Sequence, residues 1–507
     1  MAFHSYEFIF GALPACYLGF VLAHRFGGWQ TAFAFLAVAS VAFYAQWAVS
    51  LAAVLMASVV ANYLAGELIM RLAGKARRFA GPVLVAALVA NIAALGYFKY
   101  TNFFIDIANQ VTGATAPHVS LIVPIGVSFF TFIQIGYLIE AYNGQVESPG
   151  FMRYVLFATF LPCVTAGPLV LQREMFDQMK NRTDAALDAL KLATGGTLFA
   201  FGLFKKVVLA DSIAPFSDAV FDGAATGLAV APLAAWIGST CYALQLYFEF
   251  SGYSDMALGL GYLFGLKLPL NFDSPLKATS ISEFWRRWHM TMTRFFTTYV
   301  YTPLAMRGIR RATSSHYGMG ARFLVTAALP VIATFFVAGV WHGAGWTFVV
   351  YGLIHGVAIA IDLAWRQFRM PNLPSVVGWA LTMAVVISGL VVFRSKELAT
   401  AMDLLANMWT FGLLGEPAAT AAKITLDVRT AIAMIFVLGS IVLLMPNSQQ
   451  ILHAYWPSID PRPDIAPVAA GLVVWKPTSL RSITIASVSV IAIASIGSTS
   501  TFLYYQF

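Results

Sequence analysis

Runs of about 20 mainly apolar residues recur along almost the whole chain, and each is long enough to cross the hydrocarbon core of a bilayer as a helix. Clear runs centre on 8–23, 31–45, 48–68, 80–98, 151–170, 193–210, 228–248, 323–340, 344–362, 376–393, 429–445 and 483–504. Two more, 121–142 and 252–266, are short or interrupted and read as spans or re-entrant pieces. Backbone N–H and C=O groups in lipid must be satisfied within the chain, which leaves helices or a closed barrel. Runs of this length select helices. The expectation is an all-α, polytopic membrane protein of roughly 11–13 crossings, with interfacial or re-entrant helices between them.

Composition excludes the soluble alternatives. Of 507 residues, 59% are hydrophobic and 11% charged, against roughly 25% charged in a soluble domain. The formal net charge of +8 therefore reports topology and no nucleic-acid partner. Arg25 lies in the first loop, and Arg71, Lys75, Arg77 and Arg78 crowd a later one, whereas Ala45-Gln46-Trp47 between them is uncharged. Positive loops stay cytoplasmic, which puts the N-terminus outside, in the periplasm of a Gram-negative cell. Residues 1–7 carry no Lys or Arg, so the first apolar run reads as a retained span. Cys16, Cys163 and Cys241 are far apart and imply neither a disulfide framework nor a metal site.

The chain reads as a single membrane domain, 1–507, with polar insertions near 171–191, 267–320, 394–428 and 446–481. Segment 171–191 is amphipathic and suits a helix on the membrane surface. In 267–320, charges interrupt the apolar and aromatic residues too often for a simple span.

Histidine carries the chemistry. Trp341-His342-Gly343 lies between apolar stretches, and Phe284-Trp285-Arg286-Arg287-Trp288-His289 precedes it. An ionisable ring held by hydrocarbon-facing sequence is costly and is a functional candidate by default. An imidazole kept from water stays neutral near pH 7, with one nitrogen able to accept a proton, as a general base requires. Gly343 and Gly345 remove side-chain bulk beside His342, so that backbone or substrate can come close. Ser280 or Ser282 can cap a helix, Glu283 precedes Arg287 by one turn, and Trp285 and His289 are spaced to share a helical face. The bland readings are an interfacial helix anchored by aromatics and arginines, and a packing face on which His342 bonds a neighbour. His355 reads as a helix-packing residue or a support for the site. Intramembrane histidines also build proton relays, so a transporter or channel is the alternative class. No inverted repeat is evident, however, and acidic residues within the clear spans are scarce.

Several blocks, taken in order, resemble the membrane-bound O-acyltransferase family, most closely its bacterial alginate O-acetyltransferase membrane-subunit branch. They are Pro124 to Phe132, Ala166-Gly167-Pro168, Gly202 to Lys206 with Asp211, Phe250-Ser251-Gly252-Tyr253-Ser254-Asp255-Met256, Ser280 to His289, Trp341 to Trp346 and the terminal Phe502 to Phe507. The resemblance implies a ring of helices around a thinned centre, with a tunnel for an activated acyl group arriving from the cytoplasm. It matches His342 to the family's catalytic histidine and His289 to the second active-site position. Trp285, Arg286, Arg287, Trp288, Trp341, Ser254, Asp255, Lys205 and Lys206 become candidates for binding donor or substrate. Further implied are an acyl thioester donor, acetyl-CoA, with no bound cofactor, and an extracytoplasmic polysaccharide acceptor such as alginate or another exopolysaccharide. A periplasmic or membrane-anchored acetyltransferase partner and a bacterial inner-membrane location complete the expectation. Departures from that branch are Cys163 in place of histidine, Leu171 in place of arginine, and Phe296-Thr297-Thr298-Tyr299 in place of an Arg-Asp pair. None of these removes a catalytic position.

Overall fold

A computed structural model of the chain describes residues 2–180, 182, 188–410, 426–460, 475–476, 478–497 and 503. Parts of the expected insertions 171–191, 394–428 and 446–481, and all of the terminal block but Leu503, lie outside the described residues. The protein is nearly all helical; among the described residues the only β-pairing is two isolated bridges, Leu268 with Ser458 and Phe272 with Trp288. Among the described residues, seven helical stretches are long and apolar enough to cross a membrane: Phe8–Ala45, Val49–Lys75, Arg77–Thr112, Ala189–Ala225, Met319–His342, Trp346–Gln367 and Ser375–Arg394. Val127–Tyr142, Val428–Leu444 and Arg481–Ala494 are shorter apolar helices. This is a polytopic membrane protein.

Two compact units divide the chain. The first comprises Met1–Leu203, Tyr253–Leu270 and Leu452–Ser498. Here the runs 8–23 and 31–45 form two helices joined at Gly28, whose φ of 69° only glycine adopts freely; the chain doubles back there, bringing the Phe8 and Phe43 rings to 5.7 Å. Helices Val49–Lys75 and Arg77–Leu95 pair through a reciprocal amide contact. Asn91 Nδ2 donates to Asn62 Oδ1 at 2.7 Å and Asn62 Nδ2 to Asn91 Oδ1 at 3.2 Å. Each side chain satisfies the other where water is absent, which is how polar residues hold apolar helices together.

The run 151–170 does not cross the membrane as a helix. Helix Phe151–Thr159 has nine residues, about 14 Å of rise against roughly 30 Å of hydrocarbon. The chain then turns, with Cys163 and Val164 N–H donating to the Phe160 carbonyl at 2.8 and 3.0 Å. Residues 160–170 are nearly all buried, and irregular backbone survives at depth only when packed in protein. Gly126, at φ 72°, closes over this turn: a Cβ there would sit 2.1 Å from the Val164 carbonyl oxygen. The surface helix expected over 171–191 is realised as Gln172–Met179, which buries Gln172, Met175, Phe176 and Met179.

The second unit comprises Phe204–Gly252, Asn271–Ile451 and Thr499–Phe507. Its centre is the antiparallel hairpin of helices Leu329–His342 and Trp346–Gln367. Small residues let the two backbones touch: a Cβ on Gly339 would lie 2.4 Å from the Phe348 carbonyl oxygen, and one on Gly352 would lie 2.3 Å from that of Phe335. The segment after Asn271 forms two short helices, Pro275–Lys277 and Ile281–Arg287, and then Met290–Phe296, which runs on helically through Thr297–Tyr301 into Thr302–Ser314.

Candidate active site

Both candidate histidines sit in breaks between helices of the second unit. Helix Ile281–Arg287 begins at Ser280, whose Oγ accepts the Glu283 N–H at 3.2 Å, and Glu283 pairs with Arg287 at 2.9 Å. It stops at Trp288, which is extended (φ −104°, ψ 129°), and His289 follows in the left-handed region (φ 44°, ψ 49°). The extended stretch 271–273 runs alongside: Asp273 N–H donates to the Arg287 carbonyl and Met290 N–H to the Asn271 carbonyl, both at 3.0 Å. This pairing satisfies the broken backbone and holds a conformation that costs a residue with a Cβ about 1–3 kcal/mol. Such strain is typical of functional sites.

The expectation that Trp285 and His289 share one helical face is therefore overturned, because the helix ends between them. Trp285 packs on Phe335 and His355, while His289 packs edge-on to Phe250 at 4.8 Å and meets Trp341 at 6.1 Å between ring centres.

His289 is fully buried, and its Nδ1 lies 2.9 Å from Asn271 Oδ1. The same oxygen accepts the Thr291 hydroxyl at 2.9 Å and the Thr291 N–H at 3.4 Å. An amide oxygen only accepts, so Nδ1 carries the imidazole proton and, in the neutral ring, Nε2 is the accepting nitrogen. No pattern in the sequence singled out Asn271. Its only signal is the turn-forming Asn-Phe-Asp-Ser-Pro run, which reads as a loop.

His342 is the last residue of helix Leu329–His342 and is 8% exposed. Its ring is walled by Trp341 at 4.8 Å, Phe393 at 5.2 Å and Tyr351 at 5.9 Å. Gly343 and Gly345 are both extended, so their lack of a side chain matters through space alone. A Cβ on Gly343 would enter the Phe348 ring at 2.1 Å, whereas one on Gly345 would meet only ordinary contacts. The close approach expected beside His342 is that of Phe348. Trp341 is 4% exposed, and its indole touches both imidazoles. The structure thus brings His289 and His342 to one buried aromatic cluster.

The remaining candidates separate. Trp285 donates its indole N–H to His355 Nδ1 at 3.2 Å. Trp288 is wedged against Phe272 at 5.0 Å and Phe284 at 5.5 Å, a packing role. Arg287 is held by Glu283 and by the Asp273 carbonyl at 3.2 Å, whereas Arg286 is exposed. Ser254 and Asp255 are buried in the first unit. Lys205 is half-buried.

Lys206 is held in an ion-pair cluster. Its side chain is 2% exposed, and its Nζ lies 2.8 Å from both Asp211 Oδ1 and Glu249 Oε1. Glu249 Oε1 also accepts the Leu503 N–H at 2.9 Å. Two carboxylates hold the ammonium in place. Lys206 and Asp211 belong to one of the blocks that carried the family resemblance, Glu249 immediately precedes a second, and Leu503 lies in a third.

No cluster of three or more His, Cys, Asp or Glu able to hold a metal occurs among the described residues. The candidate site is thus two buried imidazoles in an aromatic enclosure.

The chain belongs to the membrane-bound O-acyltransferase family, whose sequence signature matches residues 127–394. It is 36% identical over 439 residues to the peptidoglycan O-acetyltransferase of Helicobacter pylori, covering 80% of each chain. It is 37% identical over 386 residues to the probable alginate O-acetylase of Azotobacter vinelandii, covering 74% of this chain and 72% of that one. A teichoic acid D-alanyltransferase of Streptococcus thermophilus is 29% identical over 257 residues, 49% of this chain and 59% of its own.

Proposed function

We propose that this chain transfers an acetyl group from a cytoplasmic thioester, acetyl-CoA, toward an extracytoplasmic polysaccharide. The transfer is direct or runs through a periplasmic or membrane-anchored acetyltransferase partner. The observation that carries this reading is the convergence of two buried imidazoles, His289 and His342, on the Trp341 indole. The names of the relatives support acetyl over D-alanyl, and a polysaccharide acceptor of the alginate or peptidoglycan kind. The basic residues Arg25, Arg71, Lys75, Arg77 and Arg78 support a bacterial inner-membrane orientation with the N-terminus periplasmic.

In this reading His342 takes the proton of the attacking hydroxyl as that oxygen bonds to the thioester carbonyl carbon. The C–S bond breaks as the carbonyl reforms, and the sulfur leaves with the proton that His342 returns. The Asn271 bond to Nδ1 narrows the part open to His289. A neutral ring so held accepts at Nε2 and orients a donor hydrogen; it stabilises an oxyanion only when a second proton is present.

The test uses the purified full-length chain with radiolabelled acetyl-CoA and an envelope polysaccharide fraction. General-base assistance is worth about 10²- to 10⁴-fold. His342→Ala should lose label transfer and thiol release by at least that lower figure while inserting normally. Wild-type-like transfer by that variant, or stoichiometric uptake of acetyl-CoA without thioester cleavage, overturns the assignment; the latter favours the transporter.

A further inference from the structure

The two histidines reside on separate elements, and something must hold those elements in register. His289 follows helix Ile281–Arg287, and His342 begins the turn into helix Trp346–Gln367. Three hydrogen bonds join these two helices. Ser282 N–H donates to Asp362 Oδ2 at 3.2 Å, Arg366 Nη2 donates to Ser280 Oγ at 2.9 Å, and the Trp285 indole N–H donates to His355 Nδ1 at 3.2 Å. The Arg366 bond is exposed and the Ser282 bond part-buried. The third is fully buried, with Trp285 at 3% and His355 at 1% exposure.

The chemistry of that third bond is one-sided. An indole nitrogen only donates, so His355 Nδ1 must accept and its proton must sit on Nε2. That Nε2 has no hydrogen-bond partner among the described residues. It is pressed against Gly389, where a Cβ would stand 2.5 Å from it. A buried donor left unpaired is a cost that an apolar ring of similar shape would avoid. Packing alone therefore disfavours histidine at 355; the acceptor at Nδ1 is what an apolar residue could not supply. The ring also lies 4.6 Å from Tyr351, whose own ring walls His342 at 5.9 Å.

We infer that His355 is a positioning residue of the acyl-transfer site: by accepting the Trp285 indole N–H it fixes the segment bearing His289 against the hairpin bearing His342. The inference rests on the acyltransferase reading above. It assigns Trp285 to the frame of the site and not to donor binding.

The experiment is steady-state label transfer from radiolabelled acetyl-CoA by full-length variants purified in detergent, with size-exclusion profiles as the check on folding. His355→Phe should lower kcat by up to about tenfold, the worth of one buried hydrogen bond, and leave the KM for acetyl-CoA unchanged. His355→Gln, which keeps an acceptor, should recover most of that loss. Trp285→Phe should match His355→Phe, and the double variant should be no worse than either single one, because both remove the same bond. The inference is overturned by wild-type kcat in His355→Phe, by a Gln variant as poor as the Phe variant, or by losses that multiply in the double variant. A raised KM in Trp285→Phe with kcat intact would overturn it too, returning that indole to the donor. If His355→Phe does not fold, Trp285→Phe and His355→Gln carry the test. Loss of transfer by the wild-type chain, or its retention by His342→Ala, would instead strike the acyltransferase reading itself.

Discussion

Replacing Lys206 by methionine keeps the length and apolar stem of the side chain and deletes only the ammonium. The structure makes the consequence calculable. Glu249 is 2% exposed and receives that ammonium at 2.8 Å, whereas Asp211 is 24% exposed and can turn to water. The deletion leaves Glu249 with the Leu503 N–H and no counter-charge described for it beyond Lys206. Removing one partner from a buried ion pair costs about 3–5 kcal/mol, because the survivor stays desolvated and unmatched. At roughly 2–4 °C per kcal/mol for a unit of a few hundred residues, that is a drop of about 6–20 °C in the unfolding midpoint.

The assay is the fraction of monodisperse protein left after heating in detergent, followed by size-exclusion chromatography, at one fixed scan rate so that variants are compared under the same kinetics. The double variant Lys206→Met with Glu249→Met should recover most of the loss, since removing both members of a buried pair is often neutral. An unchanged midpoint in Lys206→Met, together with a raised KM for acetyl-CoA, would refute this reasoning and restore Lys206 as a donor contact.

Three other outcomes follow from particular contacts. Asn271→Leu deprives His289 Nδ1 and Thr291 of a shared acceptor. At about 1–3 kcal/mol for buried donors left unpaired, kcat should fall roughly 10- to 100-fold with insertion intact, as steady-state transfer would measure. Gly343→Ala drives a Cβ into the Phe348 ring and should cost about 1–3 kcal/mol of overpacking. In a Phe348→Ala background the same substitution should cost nothing, so an undiminished loss there would contradict the contact. Arg286→Ala, an exposed position, should leave the unfolding midpoint within about 0.5 kcal/mol of wild type; only a change in donor KM would give that guanidinium a binding role.

What could be read in advance follows from the physics of each feature. Helices Met319–His342, Trp346–Gln367 and Ser375–Arg394 were legible because lipid demands long unbroken apolar runs, and their sequences supply them. Run 151–170 was misread because hydropathy does not distinguish a helix in lipid from buried irregular backbone. Pro162 and Gly167 inside it were the available warnings. The cap at Ser280 and the Glu283–Arg287 pair were legible for a different reason: both are local, decided within one turn.

The site divides along the same line. His289 and His342 declared themselves because an ionisable ring in apolar sequence has no cheap structural explanation. Their supports did not, because each acts across a gap in sequence that carries no period. Asn271 reaches His289 from 18 positions away and His355 reaches Trp285 from 70. Periodicity also failed where it looked safest. Trp285 and His289 have helical spacing, yet pairing of Trp288 with Phe272 stops the helix between them and sends the rings to different neighbours. That break has a functional consequence. One continuous helix would have put Trp285 and His289 on a single face, so that both competed for the same space. The break lets Trp285 seek His355 while the left-handed turn delivers His289 to Trp341 and Asn271. The strain at His289 and the orphaned proton on His355 are thus two costs of one arrangement. A variant that straightened 287–290 into helix should gain stability as it loses transfer.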